Sequence, residues 1–522
     1  MTTSIVRPQD KDLEAALSLA TAFALCLFLF HVAMNLWQAH NGWGYFRDEF
    51  YYIACGRHLA WGFVDQGPIV SVQARLAEMI FGHSLAGIRI FSGAAGAGRV
   101  YLTGILCWAI GGRRGAQALA MLAVAVAPCY LGGDGYLSMN SFESLFWLTC
   151  LLALILMLRG GSSRWWLVFG ASAGLGLLNK PSMTFFLVAL LIALVISPQR
   201  TLLLNRWCAA GVALLILIAS PNLIWQMTHH WATLEFLHNG RVEGKNKALP
   251  PLAFLRQQID TLHPLNALIW IPGVVWLLKR RDWRWLGLTY LIFLAIMMGM
   301  HAKDYYVIPI YPILFAAGAI AWQTKFAPGR ADRLVALPIF EGILLLTSVL
   351  ILPMSTPVLT PRQWLDYTAA LHIRSKAVES ENTASSELPQ FYADRFGWQE
   401  EVDQIRAAYN SLSPEDKANT VIQCDNYGEA GAINFLAPDL PTAISGHNNY
   451  WLWGPGEKPG EILITIEHTT PEHFAPYYSS VQIIGHMTSR WAMPYEQRKT
   501  IFLLRGPHQT IQSLWPEKKE YI

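Results

Sequence analysis

Long apolar runs separated by short polar segments fill the first two thirds of the chain. Each run is about 16 to 24 residues long, the length that a helix needs to cross a bilayer at about 1.5 Å per residue. The first run is longer than a signal-peptide core and lacks a small-residue cleavage site, so we expect it to remain as a helix. The pattern predicts about eleven membrane-spanning helices, at residues 14–38, 86–110, 115–131, 141–158, 164–179, 181–196, 206–225, 264–278, 284–300, 305–322 and 334–353.

The pattern changes after about residue 354. Short β-rich runs such as TVIQCD and KTIFLLRG alternate there with helical stretches such as EEVDQIRAAYNSL. This alternation is typical of a soluble α/β domain. We therefore predict a polytopic α-helical membrane domain at residues 1–353, with a first outer loop at 39–85, followed by a soluble α/β domain at 354–522.

Composition and charge support an integral membrane protein. Charged residues make up 14% of the chain and hydrophobic residues 53%, against about 25% charged residues in ordinary soluble domains. Residues 1–353 contain 26 Lys and Arg against 16 Asp and Glu, whereas residues 354–522 contain 13 against 20. The seven cysteines form no CxxC pair and indicate neither a disulfide framework nor a zinc site. We expect the lipid bilayer, and no nucleic acid, as a partner.

Basic clusters on alternate connections predict the topology. They comprise Arg7 and Lys11, Arg113 and Arg114, Arg159 and Arg164, Arg200 and Arg206, Lys279 to Arg284, and Lys325, Arg330 and Arg333. By the positive-inside rule these connections are cytoplasmic. The outer side then holds residues 39–85, 132–140, 226–263 and 301–304, as well as the C-terminal domain. We expect a multi-pass protein of the inner (plasma) membrane whose C-terminal domain is periplasmic or extracytoplasmic.

Two features need comment under this topology. Residues 68–82 are apolar, but counting them as a span would place Arg113 and Arg114 outside, so we predict a juxtamembrane helix there. Arg99 falls inside the second predicted span. Either it faces an internal polar cavity, as intramembrane charges usually do, or the span boundaries are displaced by several residues.

Adjacent carboxylates follow the first predicted helix in the stretch GYFRDEFYYIACGRHLAWGFVDQGPI, residues 44–69. Neighbouring residues of a helix point about 100° apart, so one of Asp48 and Glu49 can face a cavity while the other anchors the loop. A carboxylate among Tyr51, Tyr52 and Trp61 is suited to accept a proton from a hydroxyl. The alternative is a pair of solvated loop carboxylates without chemistry.

The order of several motifs resembles the polyprenyl-phosphate-sugar glycosyltransferases of the GT-C fold. The resemblance is to family 39 in particular, which includes protein O-mannosyltransferases and the aminoarabinose transferase of lipid A. It covers roughly residues 40–322. The motifs are RDEFYYIACGRHLAWG, FVDQGPI, FGHSLAGIRIFS, LGLLNKPS and KDYYVIPIYPILF, and the later stretches NYGEAGAINF and AISGHNNYWLWG resemble a bacterial branch of family-39-like proteins.

The resemblance implies an inverting glycosyltransferase that moves a sugar from a polyprenyl-phosphate donor to a hydroxyl acceptor on the outer face. It implies that Asp48 is the base that deprotonates the acceptor, with Glu49 assisting. The chain lacks a Pro after the acidic pair and has Gly67-Pro68 where protein mannosyltransferases have His-Pro-Pro. The identity of the acceptor therefore does not transfer from the family.

Cations are needed to balance the charge that develops on the leaving phosphate. We expect Lys180 and Lys303 to do this, together with Tyr305, Tyr306 and the weaker candidate Arg89. Snorkelling at the headgroup level is the alternative for both lysines. The residues expected to bind the sugar or the acceptor are Asp134, Glu143, Tyr52, His301, His447 and Tyr450.

The sequence favours a metal-independent enzyme over a metal-dependent one. A divalent site needs several oxygen ligands, and the sequence offers only Asp134 and Glu143, nine residues apart, with no Asp-x-Asp. We therefore expect no cofactor, with a divalent metal as the alternative. A transporter or lipid-linked sugar flippase is the main rival function, and a lipid-binding scaffold is the third, but the acidic residues gather at outer helix ends rather than within the spans.

Overall fold

The computed structural model describes residues 10–245, 247–325, 331–373 and 386–522. Two of the basic residues used for the topology, Arg7 and Arg330, lie outside these ranges. The chain divides into two compact units. The first unit comprises Met1–Trp37, Ile88–Trp225 and Ala248–Val358, and the second unit comprises Gln38–Gly87, Gln226–Lys247 and Leu359–Ile522.

The first unit is built from helices, and every apolar run predicted from the sequence overlaps at least one of them. The α-helices of this part of the chain are Asp10–His40, Ile90–Ala109, Arg114–Ala125, Pro128–Gly133, Met139–Leu158, Trp165–Asn179, Ser182–Val195, Arg206–Thr228, Pro251–Thr261, Ala267–Lys279, Arg284–Gly299, Tyr311–Lys325 and Ala331–Ile351. Short 3₁₀ segments occupy Pro198–Leu203, Pro264–Asn266, Asp304–Ile310 and Leu352–Met354.

Six helices of the described residues are long and apolar enough to cross a membrane, or seven if the pair Pro251–Thr261 and Pro264–Lys279, bent by 105°, forms one span. Several predicted runs are divided by local backbone signals. Pro128, for example, begins a new helix because a proline cannot continue the preceding one. The helix in that run, Arg114–Ala125, is therefore only 12 residues long. The count of about eleven spans remains a prediction.

Close helix contacts and stacked aromatic side chains form the core of the first unit. The ring of Trp147 stacks on Phe186 at 4.2 Å and meets Phe293 edge-on at 5.0 Å. Where helices Trp165–Asn179 and Arg206–Thr228 cross, a Cβ added to Gly170 would lie 2.0 Å from the backbone oxygen of Gly211. Only glycine permits such an approach, which is how helices in a membrane maximise packing.

A five-stranded sheet forms the centre of the second unit. The strands are β1 Thr420–Cys424, β2 Ala443–Ser445, β3 Ile462–Glu467, β4 Tyr478–His486 and β5 Thr500–Pro507, in the order β2-β1-β3-β5-β4. Strand β1 pairs in parallel with β2 and β3, and β5 pairs antiparallel with β3 and β4. The sheet confirms the predicted α/β character of the C-terminal region.

Helices on the second unit come from three separate parts of the chain. The longer ones are Arg47–Arg57, Pro68–Phe81, Ala232–Val242, Pro361–Ala370, Trp398–Asn410 and Tyr427–Leu436, and shorter turns lie at Gln390–Ala393, Pro414–Asn419, Asn449–Trp453, Pro471–Phe474, Ile511–Leu514 and Trp515–Lys518. Helix Pro68–Phe81 occupies the place predicted for a juxtamembrane helix. Its first position is a proline, whose fixed φ and missing N–H suit a helix start.

Residues 39–85, which the sequence pattern placed with the membrane region, pack in the second unit. Helices Arg47–Arg57 and Tyr427–Leu436 cross closely. A Cβ added at Gly431 would lie only 2.8 Å from the Cβ of Phe50, so the crossing requires a glycine there. The buried residues of the first of these helices include Glu49, Phe50, Tyr51, Tyr52 and Ile53, which surround the helix on all sides. Glu49 is thus part of a packed core, whereas the neighbouring Asp48 stays partly exposed.

Candidate active site

The two carboxylates at the start of helix Arg47–Arg57 have different surroundings. Glu49 is fully buried, and its Oε2 accepts a hydrogen bond from the backbone N–H of Phe46 at 2.8 Å. It therefore caps the helix, at the end where backbone N–H groups and the helix dipole favour a negative charge. The side chain of Asp48 keeps 32% of its surface exposed. Asp48 is the more accessible member of the pair.

Asp48 is held in place by the C-terminal region of the chain. The hydroxyl of Tyr427 donates to Asp48 Oδ1 at 2.8 Å, and Arg47 Nη2 donates to the Tyr427 hydroxyl at 3.1 Å. Arg47 Nε also lies 3.8 Å from Asp48 Oδ1. Among the residues that the structure describes, Tyr427 is the one hydrogen-bond donor to the Asp48 side chain. One carboxylate oxygen is therefore fixed while the group as a whole remains accessible.

A second carboxylate, Asp65, belongs to the same cluster. The hydroxyl of Tyr51 donates to Asp65 Oδ1 at 2.8 Å, and the ring of Tyr51 stacks on Tyr427 at 4.6 Å. Burial raises the pKa of Asp65 to about 6, the Tyr51 hydrogen bond opposes this, and the negative charge of Asp48 adds to it. Sequence reasoning placed Asp65 on the outer side but did not select it as a site residue, although the FVDQGPI motif contained the signal.

The first unit brings four of the predicted phosphate-binding residues together. Lys180 Nζ lies 4.4 Å from the ring centroid of Tyr306 and 5.2 Å from that of Tyr305, and Lys303 Nζ lies 5.9 Å from the Tyr305 centroid. Cations over aromatic faces are stabilised by the ring quadrupole. These residues come from the two motifs LGLLNKPS and KDYYVIPIYPILF, which the sequence separates widely.

Lys180 is buried rather than extended towards solvent. Its Nζ donates to Asn140 Oδ1 at 2.7 Å and to Glu143 Oε2 at 3.1 Å, and Ser182 donates to the other oxygen of Glu143. The snorkelling interpretation therefore does not describe Lys180. Glu143, predicted to bind a sugar or the acceptor, is the counter-ion of this lysine.

Asp134 forms a separate buried ion pair. It is 1% exposed, pairs with Arg99 and lies 3.8 Å from His31 Nε2. The guanidinium of Arg99 also covers the ring of Tyr130 at 3.9 Å. Arg99 thus faces the interior of the first unit, where it pairs with Asp134, and the internal polar cavity suggested for it remains a prediction. The Asp134 carboxylate presents almost no surface to a ligand.

The remaining predicted residues do not form one group. Arg89 is buried directly before helix Ile90–Ala109, and His301 is exposed with a positive φ of 52°. Tyr52 is buried beside Tyr51. In the second unit, His447 is also buried, with its ring 4.5 Å from that of Tyr427 and Nε2 2.8 Å from the backbone oxygen of Ile522. The buried Tyr450 packs edge-on against Trp453.

Tyr427 is the site residue that sequence reasoning missed most clearly. It lies in the stretch NYGEAGAINF, which drew attention as a resemblance but not as a source of functional side chains. Asn426 precedes it and caps helix Tyr427–Leu436 by accepting from the N–H groups of Gly428 and Glu429. This cap fixes the first turn of the helix, so the position of Tyr427 is fixed with it.

Groups of three or more His, Cys, Asp or Glu side chains that could hold a metal ion do not occur within residues 10–245, 247–325, 331–373 and 386–522. The two predicted candidates, Asp134 and Glu143, instead pair with Arg99 and Lys180.

Comparisons with known proteins agree with the predicted resemblance. Residues 65–225 match the family described as dolichyl-phosphate-mannose-protein mannosyltransferase. Among solved structures, ArnT from Cupriavidus metallidurans in the apo state is similar over 94% of this chain and 99% of its own, with a TM-score of 0.60 and 14% identity. The same protein bound to undecaprenyl phosphate gives a TM-score of 0.58, with the same identity and coverage. No curated protein matches the sequence.

The likeness to ArnT establishes the fold over nearly the whole chain. Together with the family match, it confirms the resemblance to family-39-like glycosyltransferases of the GT-C fold. The matched residues 65–225 include Asp65 and Lys180 but begin after the acidic pair.

Proposed function

We propose that the protein is an inverting glycosyltransferase that transfers a sugar from a polyprenyl-phosphate donor to a hydroxyl acceptor on the outer face of the membrane. The fold that it shares with ArnT and the match to a mannosyltransferase family support the reaction class. The ArnT structure with undecaprenyl phosphate supports a lipid phosphate as donor. The observation that carries the proposal is the partly exposed Asp48 carboxylate beside the buried, helix-capping Glu49.

In the proposed reaction Asp48 removes the proton of the acceptor hydroxyl. The acceptor oxygen forms a bond to the anomeric carbon while the bond from that carbon to the phosphate oxygen breaks. The electron pair of the broken bond leaves with the polyprenyl phosphate, and the proton stays on Asp48 until solvent removes it. A single displacement of this kind inverts the anomeric configuration. The fixed position of one Asp48 oxygen aids the proton transfer, because general-base catalysis depends on geometry.

The proposed binding groups for the donor phosphate are Lys180 and Lys303 with Tyr305 and Tyr306. Ammonium groups are point charges that suit a phosphate, and a tyrosine hydroxyl can donate to a phosphate oxygen. Lys180 is already paired with Glu143 in this structure. A donor phosphate would therefore share this lysine with Glu143, whereas Lys303 is the more exposed cation of the group.

The topology and metal independence belong to the same proposal. We place about eleven crossings in an inner (plasma) membrane and residues 354–522 on the extracytoplasmic side, because the basic connections alternate as the positive-inside rule requires. We propose that no divalent cation takes part, since lysines can supply the positive charge that the leaving phosphate needs. Transfer activity should then be unchanged in EDTA, and a loss that Mg²⁺ or Mn²⁺ restores would contradict this part.

A transporter or lipid-linked sugar flippase is the second candidate. The observation that favours it is the buried pair Arg99 and Asp134, because charges within membrane segments often mark a transport path. Such a protein would change the side on which a lipid-linked sugar is found without consuming it.

Mass analysis of polyprenyl-linked sugars tests the transferase proposal. Cells that lack the protein, cells with the wild type and cells with Asp48→Asn would be compared, with Asp403→Asn as a matched control on an exposed carboxylate of the same unit. We expect one polyprenyl-phosphate sugar to accumulate in the first and third strains only. An unchanged lipid pool in all strains would contradict the transferase proposal.

A further inference from the structure

Lys499 is a buried cation of the second unit and lies directly before strand β5. Its side chain is 1% exposed. Its Nζ donates to Asp425 Oδ2 at 2.9 Å and to Glu429, and it lies 3.3 Å from Glu496 Oε2. Burial opposes the charge, but the three carboxylates, with Glu429 foremost, outweigh burial and hold the pKa of Lys499 well above its ordinary value. Lys499 therefore stays charged at the centre of an ionic cluster with these three residues.

Two carboxylates of this cluster hold the start of helix Tyr427–Leu436. Glu429 Oε2 accepts from the backbone N–H of Asp425 at 2.8 Å and from that of Asn426 at 3.2 Å. Glu496 Oε1 accepts from the side-chain amide of Asn426 at 2.9 Å. Asn426 itself caps the helix, so both carboxylates act on the residue that fixes the first turn.

The first turn of that helix packs directly against the proposed base and its neighbour. The Tyr427 hydroxyl donates to Asp48, and a Cβ added at Gly428 would overlap Cγ of Arg47. Such close packing leaves the turn no room to move towards Arg47. The length and angle of the hydrogen bond to Asp48 therefore depend on where the cap places this turn.

Stability alone explains this cluster poorly. The burial of charged groups has a large desolvation cost, and well-packed apolar residues in place of a buried ionic network are often as stabilising or more so. The carboxylates also outnumber the ammonium group three to one. Beside them the buried Glu401 has an oxygen, Oε1, without a hydrogen-bond partner among the described residues. Arrangements that sacrifice stability in this way are expected at functional sites.

We propose that Lys499 is a positioning residue, which holds Asp48 for proton removal through the first turn of helix Tyr427–Leu436. Its ammonium group orients the carboxylates of the cluster, these orient the cap, and the capped turn presents the Tyr427 hydroxyl to Asp48. Lys499 is too buried to touch either substrate, and its role includes no covalent step. The inference rests on the proposed function, in which Asp48 is the base.

A double-mutant cycle on the purified full chain tests this path. Initial rates would be measured with the polyprenyl-phosphate sugar that accumulates in cells lacking the protein, and with membranes of those cells as the acceptor. Lys499→Met removes the charge at similar length, and we expect kcat to fall about 3- to 10-fold with little change in KM. In the Tyr427→Phe protein the same substitution should change kcat by less than about twofold, because the hydroxyl through which Lys499 acts is gone. An equal loss in both backgrounds, or an unchanged kcat in the first, would overturn the proposal.

Two further variants separate positioning from a general loss of folding. Ile464→Ala, in the buried strand β3 and outside the cluster, leaves a cavity that lowers stability. Below its unfolding midpoint it should keep the wild-type kcat, and a loss equal to that of Lys499→Met would overturn the proposal. Where Lys499→Met alone fails to fold, its combination with Glu496→Gln removes one cation and one carboxylate, so the net charge of the cluster is unchanged. The glutamine oxygen can still accept from Asn426, and the same cycle is measured with this pair.

Hydrogen exchange tests the first step of the path without any activity. Mass spectrometry would compare the amide exchange of residues 425–431 in the wild type and in Lys499→Met, with strand β3 as the internal reference. We expect exchange about threefold faster or more in the variant, as the loosening of a helix cap produces, and equal exchange would overturn the proposal. Asp48→Asn, assayed alongside, distinguishes the two levels. A wild-type rate in that variant refutes the proposed base, whereas an inactive Asp48→Asn together with an additive cycle refutes the role of Lys499 alone.

Discussion

The hydroxyl of Tyr427 donates a hydrogen bond of 2.8 Å to Oδ1 of Asp48, although the two residues lie 379 positions apart in the chain. Arg47 connects to the same hydroxyl, so a cation, a phenol and a carboxylate form one hydrogen-bonded series. The C-terminal region thus contributes directly to the geometry of the proposed base.

Tyr427→Phe should lower kcat about 10-fold with little change in KM. The ring and its stacking on Tyr51 remain, but Asp48 loses its one described hydrogen-bond donor and its fixed orientation, and a hydrogen bond to a charged group contributes about 1.5–3 kcal/mol. Initial rates over a range of donor concentrations measure both constants. An unchanged kcat would show that Tyr427 does not position Asp48, and Tyr477→Phe serves as the matched control.

The two acidic residues should respond in opposite ways. Glu49→Gln should change stability little and retain most activity, because the Gln amide oxygen can still accept the hydrogen bond from the Phe46 N–H. Asp48→Asn should keep the thermal unfolding midpoint near that of the wild type and lose activity. Parallel thermal unfolding and activity assays on both variants check this division. Abolished activity in a stable Glu49→Gln protein would move the base to Glu49.

The alanine variants of the two lysines should differ in stability, but both should bind the donor more weakly than the wild type does. Lys180→Ala leaves Glu143 as an unpaired buried carboxylate and should cost about 3–5 kcal/mol, whereas the more exposed Lys303 should be replaceable by Ala at little cost. Both Ala variants should weaken donor binding more than the Arg variants do, since the proposed role is charge neutralisation. Donor Kd values unchanged in Lys303→Ala and Lys303→Arg would count against a phosphate role for Lys303.

Asp65 should make stability depend on pH. Its pKa in the folded protein is about 6, above the ordinary value of 3.8, so the folded state holds this proton more tightly than the unfolded state does. The stability that this tighter proton binding contributes is complete below about pH 3.8 and is lost as the pH rises through 6. Relative to the wild type, Asp65→Asn should therefore become more stable between pH 4 and pH 7. Thermal unfolding at several pH values measures this, and a constant difference between the two proteins would contradict it.

Much of the fold could be predicted because it rests on local pattern. All eleven apolar runs became helices, and the short β-rich runs became strands of one sheet. The number of spans is harder to predict, because proline and short 3₁₀ segments divide or bend runs that composition alone treats as continuous, as at Pro128 and at the bend before Pro264. The placement of residues 39–85 within the second unit had no periodic signal, since packing between distant segments leaves none.

The residues of the candidate site were likewise predictable only where a local motif contained them. Asp48, Lys180, Lys303, Tyr305 and Tyr306 were selected because their motifs resemble those of a known family. The structure brings the last four together, with Lys180 over the rings of both tyrosines and Lys303 over that of Tyr305. Tyr427 was not selected, because a hydrogen bond across 379 positions cannot be inferred from spacing. Asp134 was selected for its outer-loop position, but its carboxylate pairs with Arg99 in the interior.

The most direct test of the central claim is the transfer rate of purified Asp48→Asn. The donor is the polyprenyl-phosphate sugar that accumulates in cells lacking the protein, membranes of those cells supply the acceptor, and released polyprenyl phosphate is measured. The account predicts a rate 10²- to 10⁴-fold below that of the wild type, the usual range for loss of a general base, with an unchanged donor Kd and unfolding midpoint. A rate within about threefold of the wild type would contradict it, because the loss of a general base lowers the rate by far more than threefold.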